Sequence, residues 1–285
     1  MFAGVRSRAE TASRRGREWV DRQSPGSPTG VAIGAWRRYR DVDGPLQSAL
    51  LSLYFLVAIL PALLVLEEYL ETNPAALASE LVHHYGLSHE SAQLLRGVLV
   101  QDRTHELGSA LLAIASALVF GLGFGRVLQL VHARAWGLEL PLRETDRFRF
   151  AAVLLALYGL ILLLLLQLKE LPAGSPWVAW LLAPVWIGLL VLFFAWAPRT
   201  LTHKLLSWRE LLPGAALTAF GLVALMIVSS FVMERWVDLF ARDYGGFGVV
   251  LAIYFWMAFS SAVIVIAASL SPALAERRLS RAAPS

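Results

Sequence analysis

The chain has 285 residues, 57% of them hydrophobic, with no cysteine and a formal net charge of +4. A soluble domain sits nearer about 45–50% apolar. Without cysteine there are no disulfides, thiolate nucleophiles or cysteine-held metals. The apolar excess is gathered into continuous runs of about 20 residues, the length that crosses a hydrocarbon core of about 30 Å. Continuous rather than alternating runs are helices, not barrel strands. The expectation is an all-α, polytopic membrane protein: a six-transmembrane-helix bundle with both termini cytoplasmic.

In chain order, residues 1–33 form a basic cytoplasmic tail. Arg6, Arg8, Arg14, Arg15, Arg17 and Arg22 alternate with Ser, Gly and Pro, too little apolar surface to offset chain entropy. Disorder and contact with anionic headgroups are expected there. No signal-peptide pattern is visible. The transmembrane domain covers residues 34–278, and 279–285 form a second cytoplasmic tail. At 35–43, Trp36 and Tyr39 lie among arginines, a composition that suits the headgroup layer.

The first span is read at about 46–66, with Pro61 inside it. Residues 67–106 are more polar. Within them, 75–100 has helical spacing and reads as amphipathic helices on the outer surface. The remaining spans are 107–131, 150–168, 177–197, 213–233 and 247–270. Gly121, Gly123 and Gly125 permit close helix contact in the second span. Gly121-x-x-x-Gly125 is open to two uses, a homo-oligomer or packing within one chain. The last two spans read as a hairpin with a short outer turn through Tyr244-Gly245-Gly246.

Basic residues set the orientation. Of the 25, only Arg96, Arg103, Lys169, Arg235 and Arg242 fall in the outer connections, and Arg126 lies within a span. The others lie in the tails and in 132–149 and 199–212, a positive-inside pattern that puts both termini in the cytoplasm.

Ionisable residues within spans are the usual functional pointers, because burying charge in lipid is costly. Arg126 is the one basic residue well inside an apolar run. It reads either as an anion contact from the bundle interior or as a snorkelling side chain near the cytoplasmic end. No carboxylate lies near a span centre, which argues against a carrier coupled through a buried acid. Small polar residues inside spans include Ser52, Tyr54, Tyr254 and Ser260. They read as helix-to-helix glue or as a weakly polar groove for a lipid headgroup or amphiphile. With Arg126 they form the candidate substrate-binding set.

His83, His84, His89 and His105 share the first outer region with several acids, but their spacing fits no tight metal motif and reads as a solvated face. No metal or other cofactor is expected. The cytoplasmic acids Glu139, Glu144, Asp146 and Glu210 are few and flanked by arginines; each reads as the partner of a neighbouring base rather than as nuclease machinery. No phosphate-loop or nucleophile-elbow motif is present. Neither enzymatic activity nor nucleic-acid binding is expected.

Several segments in order carry a resemblance. They are 35–40, Asp43-Gly44, 48–53 with Pro61, Gly125-Arg126 with Trp136, Pro198 followed by Trp208-Arg209-Glu210-Leu211-Leu212-Pro213-Gly214-Ala215, Tyr244-Gly245-Gly246-Phe247-Gly248, and Ala273-x-x-Glu276-Arg277. Together these resemble the YihY/BrkB family of bacterial inner-membrane proteins. The resemblance implies six helices and an inner-membrane address. The family has carried a ribonuclease BN label, and its members have been linked to envelope integrity, serum resistance and export of lipids or solutes. Many members end the last span with a Gly-Ala-Glu-Leu-Asn-like segment. This chain reads Ala268-Ser269-Leu270-Ser271-Pro272 there, without the carboxylate. The expected role is transport or organisation of an envelope lipid or amphiphilic solute, with membrane lipids as partners. The alternative is a non-catalytic scaffold that binds partner proteins.

Overall fold

The computed structural model describes residues 27–70, 93, 107–141, 143–170 and 176–282. The four His of the first outer region and nearly all of 75–100 lie outside them. The described residues are all-helical, with no strand. In chain order the elements are α1 (Pro28–Asp41), α2 (Gly44–Leu70), α3 (Leu107–Ala135), α4 (Asp146–Glu170), α5 (Pro176–Leu201) and α6 (Trp208–Ala282). At 1.5 Å per residue, α2 to α5 are each about 38–44 Å long, enough to cross a bilayer. Among the described residues, Ala183–Leu201 and Trp208–Ala275 are long and apolar enough to span a membrane.

Helix α1 starts earlier than the sequence reading allows. Ser27 caps it, its hydroxyl accepting from the Gly30 amide at 3.0 Å, and Pro28 occupies the first turn, where a missing N–H costs nothing. Residues 28–33, read as part of a disordered tail, are therefore helical. Asp43 turns the chain with φ 54°, and Gly44 then packs directly under the Tyr39 ring.

The core gathers at the end of the bundle whose connections carry the arginines. Leu51 of α2, Leu128 and Val131 of α3, Val153 of α4, Leu201 of α5 and Val265 of α6 are all fully buried there. Helix α3 is central and touches α2, α4, α5 and α6. Its glycines explain how: Gly121 faces Leu154, Gly123 faces the Tyr54 ring and Gly125 faces Phe150. Gly121 and Gly125 thus both serve α4 of the same chain. Tyr158 adds a hydrogen bond from α4 to the Ala58 carbonyl of α2 at 2.9 Å.

The hairpin expected near 244–246 is a single helix in outline, broken at one residue. Gly245 has φ 60° and ψ −140°, and the chain reverses there. The limbs before and after it run back along each other, with Gly214 against Ser271, Gly221 against Val263, and Trp236 against Phe255 and Phe259. The turn is so tight that the Phe240 carbonyl occupies the place a side chain would take at Gly248. Residues 234–244, read as a polar connection, are helical and extend the first limb by about 16 Å. A second small core of Val237, Ala241, Val249 and Ala252 holds this apex together.

Outside the core, large apolar side chains face outward on every long helix: Leu155 and Leu163 on α4, Val185 and Leu192 on α5, Phe220, Ile227, Phe231 and Ile266 on α6. That much outward apolar surface fits a lipid surround.

One buried ionic cluster fastens the connections at the basic end. Asp146 opens α4 with its side chain 1% exposed. It accepts from the Arg143 amide at 3.0 Å, from Arg149 Nη1 at 3.0 Å and pairs with His203 Nε2 at 2.7 Å. Burial alone would raise its pKa, but those three donors outweigh burial and hold the carboxyl below its ordinary value of 3.8. His203 and Lys204 both adopt positive φ, 57° and 61°. That conformation is unfavourable for side chains with a Cβ, so the Asp146–His203 contact holds a turn that would otherwise relax.

Two predictions follow from these contacts. In Gly125→Ala the new methyl would sit 2.8 Å from Phe150 Cβ and 3.0 Å from its Cα. The backbone of α4 cannot give way cheaply, so a loss of about 1–3 kcal/mol is expected in detergent unfolding. Gly188→Ala, with nothing within 4 Å, should show no loss. Asp146→Asn removes a buried paired charge and should cost roughly 3 kcal/mol at neutral pH. Because the folded pKa is depressed, this stabilisation is complete above the unfolded value of 3.8 and is lost as pH falls through the folded one. Unfolding curves of the two proteins should stay apart down to about pH 4 and converge below it.

Candidate functional site

Three elements far apart in sequence meet at the basic end. Helix α1 lies across α6 and brings Arg38 there. Helix α3 ends in a left-handed glycine cap, with Gly137 at φ 63° and the Leu138 amide bonded back to the Ala133 carbonyl at 2.8 Å. This stop puts Arg134 in the last turn and Trp136 just beyond it. Helix α6 starts in a capping arrangement: the Glu210 carboxylate accepts from the Ser207 hydroxyl at 2.6 Å and the Ser207 amide at 2.7 Å. These bonds, the hydroxyl's first, hold the Glu210 carboxyl below its ordinary range. Glu210 therefore partners a helix cap and not the neighbouring base expected from sequence.

Between these elements lies an open cavity of about 600 Å³. Arg38, Arg134 and Arg209 line it with Asp41 and Glu210, and Ala135, Trp136, Pro272 and Ala275 supply apolar wall. Arg134 reaches Asp43 at 3.4 Å, a long and largely exposed contact. Arg209 makes no hydrogen bond or ion pair among the described residues. The Trp136 indole N–H is buried without a partner among the described residues. Beside the cavity, Arg199 stacks over the Trp208 ring, 5.2 Å from its centre.

A buried polar seam runs from this end into the bundle. Arg126 Nη1 donates to Gln129 Oε1 at 2.6 Å, and Gln129 Nε2 donates to the Leu201 carbonyl at 2.8 Å. The Ser271 hydroxyl donates to the Glu210 carbonyl at 2.9 Å and ties the end of one limb of α6 to the start of the other. His132, Thr218 and Ser271 surround a void of about 10 Å³, room for about one water.

The five residues singled out from sequence are distributed differently. Arg126 is partly buried and joins the seam through Gln129. Ser52 is fully buried and donates to the Ala49 carbonyl at 2.8 Å. Ser260 donates to the Trp256 carbonyl at 3.1 Å. Tyr54 packs on Gly123, and Tyr254 lies against Phe255 with ring centres 5.9 Å apart. Both serines spend their hydrogen bonds within their own helix, so neither hydroxyl bridges two helices. None of the five lines the cavity. The residues that do, Arg38, Trp136, Arg209 and Glu210 among them, carry the family resemblance but were not read as site residues. Among the described residues no group of three His, Asp or Glu could hold a metal ion.

No solved structure matches. A tRNA-2-methylthio-N(6)-dimethylallyladenosine synthase from Mycobacterium avium (strain 104) is 36% identical over 109 residues, 36% of this chain. The chain spans only 14% of that protein's length. The pattern of the family described as virulence factor BrkB matches residues 35–285, which takes in α2 to α6 and all of the cavity's walls. The chain is a membrane protein and belongs to the virulence factor BrkB family.

Proposed function

We propose that this protein spans the bacterial inner membrane six times with both termini in the cytoplasm, and that it moves or organises an envelope lipid or related amphiphile. The observation that carries this reading is the open cavity at the basic end, set where an apolar-coated bundle meets its arginine-rich connections. An amphiphile needs both surfaces at once. Its polar group requires charged partners, and its apolar part requires a wall such as Trp136, Pro272 and Ala275. The seam of Arg126 and Gln129 supplies polar groups further into the bundle.

The role is non-catalytic. Asp146 and Glu210, the best-placed acids, are occupied by a structural cluster and a helix cap. The projecting apex of α6 supports a second reading as a scaffold, since a stalk of about 16 Å offers a partner protein a helical surface clear of the bilayer.

The test is movement of labelled lipid between leaflets of vesicles, with empty vesicles as control. Protein should speed the exchange severalfold without an energy source. Arg126→Leu should slow it while leaving the thermal transition in place. Exchange equal to that of empty vesicles, for neutral and anionic headgroups alike, would leave the scaffold reading.

A further inference from the structure

The fold gathers three arginines around one cavity from positions 38, 134 and 209, on three different helices. Like charges brought together repel, so the arrangement is unfavourable unless acids or a ligand compensate. Asp41 and Glu210 line the same cavity and Asp43 reaches Arg134 at 3.4 Å, so the acids offset much of that charge, but Glu210 spends its short hydrogen bonds on Ser207. Arg209 has no partner among the described residues. It stands in the first turn of α6, where the positive end of the helix dipole adds to its own charge. Guanidinium groups match phosphate oxygens in pairs, which an ammonium group cannot do. The cavity, at about 600 Å³, is far larger than a phosphate group needs, and its remaining wall is apolar.

We propose that this cavity binds the phosphate group of an anionic amphiphile. Arg38, Arg134 and Arg209 hold the phosphate, and Trp136, Pro272 and Ala275 take the adjoining apolar part. The proposal rests on the reading of the protein as one that handles amphiphiles. It names the headgroup chemistry and the residues that select it.

The experiment measures lipid retained by the full chain after purification from mixed phosphatidylcholine and phosphatidic acid vesicles, read by native mass spectrometry. Phosphatidic acid should be retained at least about tenfold over phosphatidylcholine. Arg209→Gln should reduce that preference about tenfold, Arg209→Lys should reduce it less, and Arg147→Gln, an exposed arginine outside the cavity, should leave it unchanged. Competition by glycerol 3-phosphate or inorganic phosphate identifies a soluble phosphate as the natural ligand. Retention insensitive to both identifies the lipid. The proposal is overturned if Arg209→Gln and Arg134→Gln keep the wild-type thermal transition and the wild-type preference. It is overturned equally if Arg147→Gln loses as much as Arg209→Gln, because binding is then diffuse surface attraction. The leaflet-exchange assay separates the two readings. Exchange without Arg209-dependent retention removes the site alone, and Arg209-dependent retention without exchange removes transport alone.

Discussion

Helix α3 can occupy the centre of this bundle only because its neighbours reach its backbone. Gly121, Gly123 and Gly125 leave no side chain between α3 and Leu154, Tyr54 and Phe150. In a lipid surround, helices gain little from hiding apolar surface from each other, so close van der Waals contact must hold them. The three glycines concentrate that contact at one level of α3. The features that follow along the same helix inherit their positions from it: Arg126 and Gln129 in the seam, then Arg134, Trp136 and the Gly137 cap at the cavity.

The basic end is fastened by charge and hydrogen bonding rather than by bulk. Asp146 gathers Arg143, Arg149 and His203. Ser207 and Glu210 close the start of α6, and Ser271 closes its end onto Glu210. A satisfied polar cluster of this kind specifies geometry better than apolar packing alone. Of the arginines around the cavity, Arg209 stands on this frame without a side-chain partner among the described residues.

Much of the fold was legible because one physical signal dominates the sequence. Apolar runs long enough to cross a bilayer mark five long elements, and Gly245 lies within the expected turn. The apex of α6 was not legible because charge and helical periodicity disagree over 234–244. Glu234, Arg235, Asp238, Arg242 and Asp243 read as a loop by polarity, yet Trp236, Val237, Phe240 and Ala241 recur at helical spacing and pack on the second limb. The start of α1 was hidden by a similar conflict, since Ser27-Pro28 reads as a breaker and acts as a cap. The cavity had no local signature at all. Arg38, Arg134 and Arg209 each sit in an ordinary basic connection, and only tertiary packing makes them neighbours. Attention to residues inside spans led instead to Ser52 and Ser260, whose hydrogen bonds stay within their own helices.

The single-residue reversal at Gly245 gives α6 the geometry of a pair of tongs. The two limbs are each about 55 Å long, reverse at the apex and pack on each other along their length, and Arg209 and Pro272 place them on facing walls of the cavity. Those contacts, Gly214 on Ser271, Gly221 on Val263 and Trp236 on Phe255 and Phe259, hold the jaws closed, so any shift between the limbs is shared along the whole line. The hydrogen bond from Ser271 to the Glu210 carbonyl lies across those jaws and works as their latch.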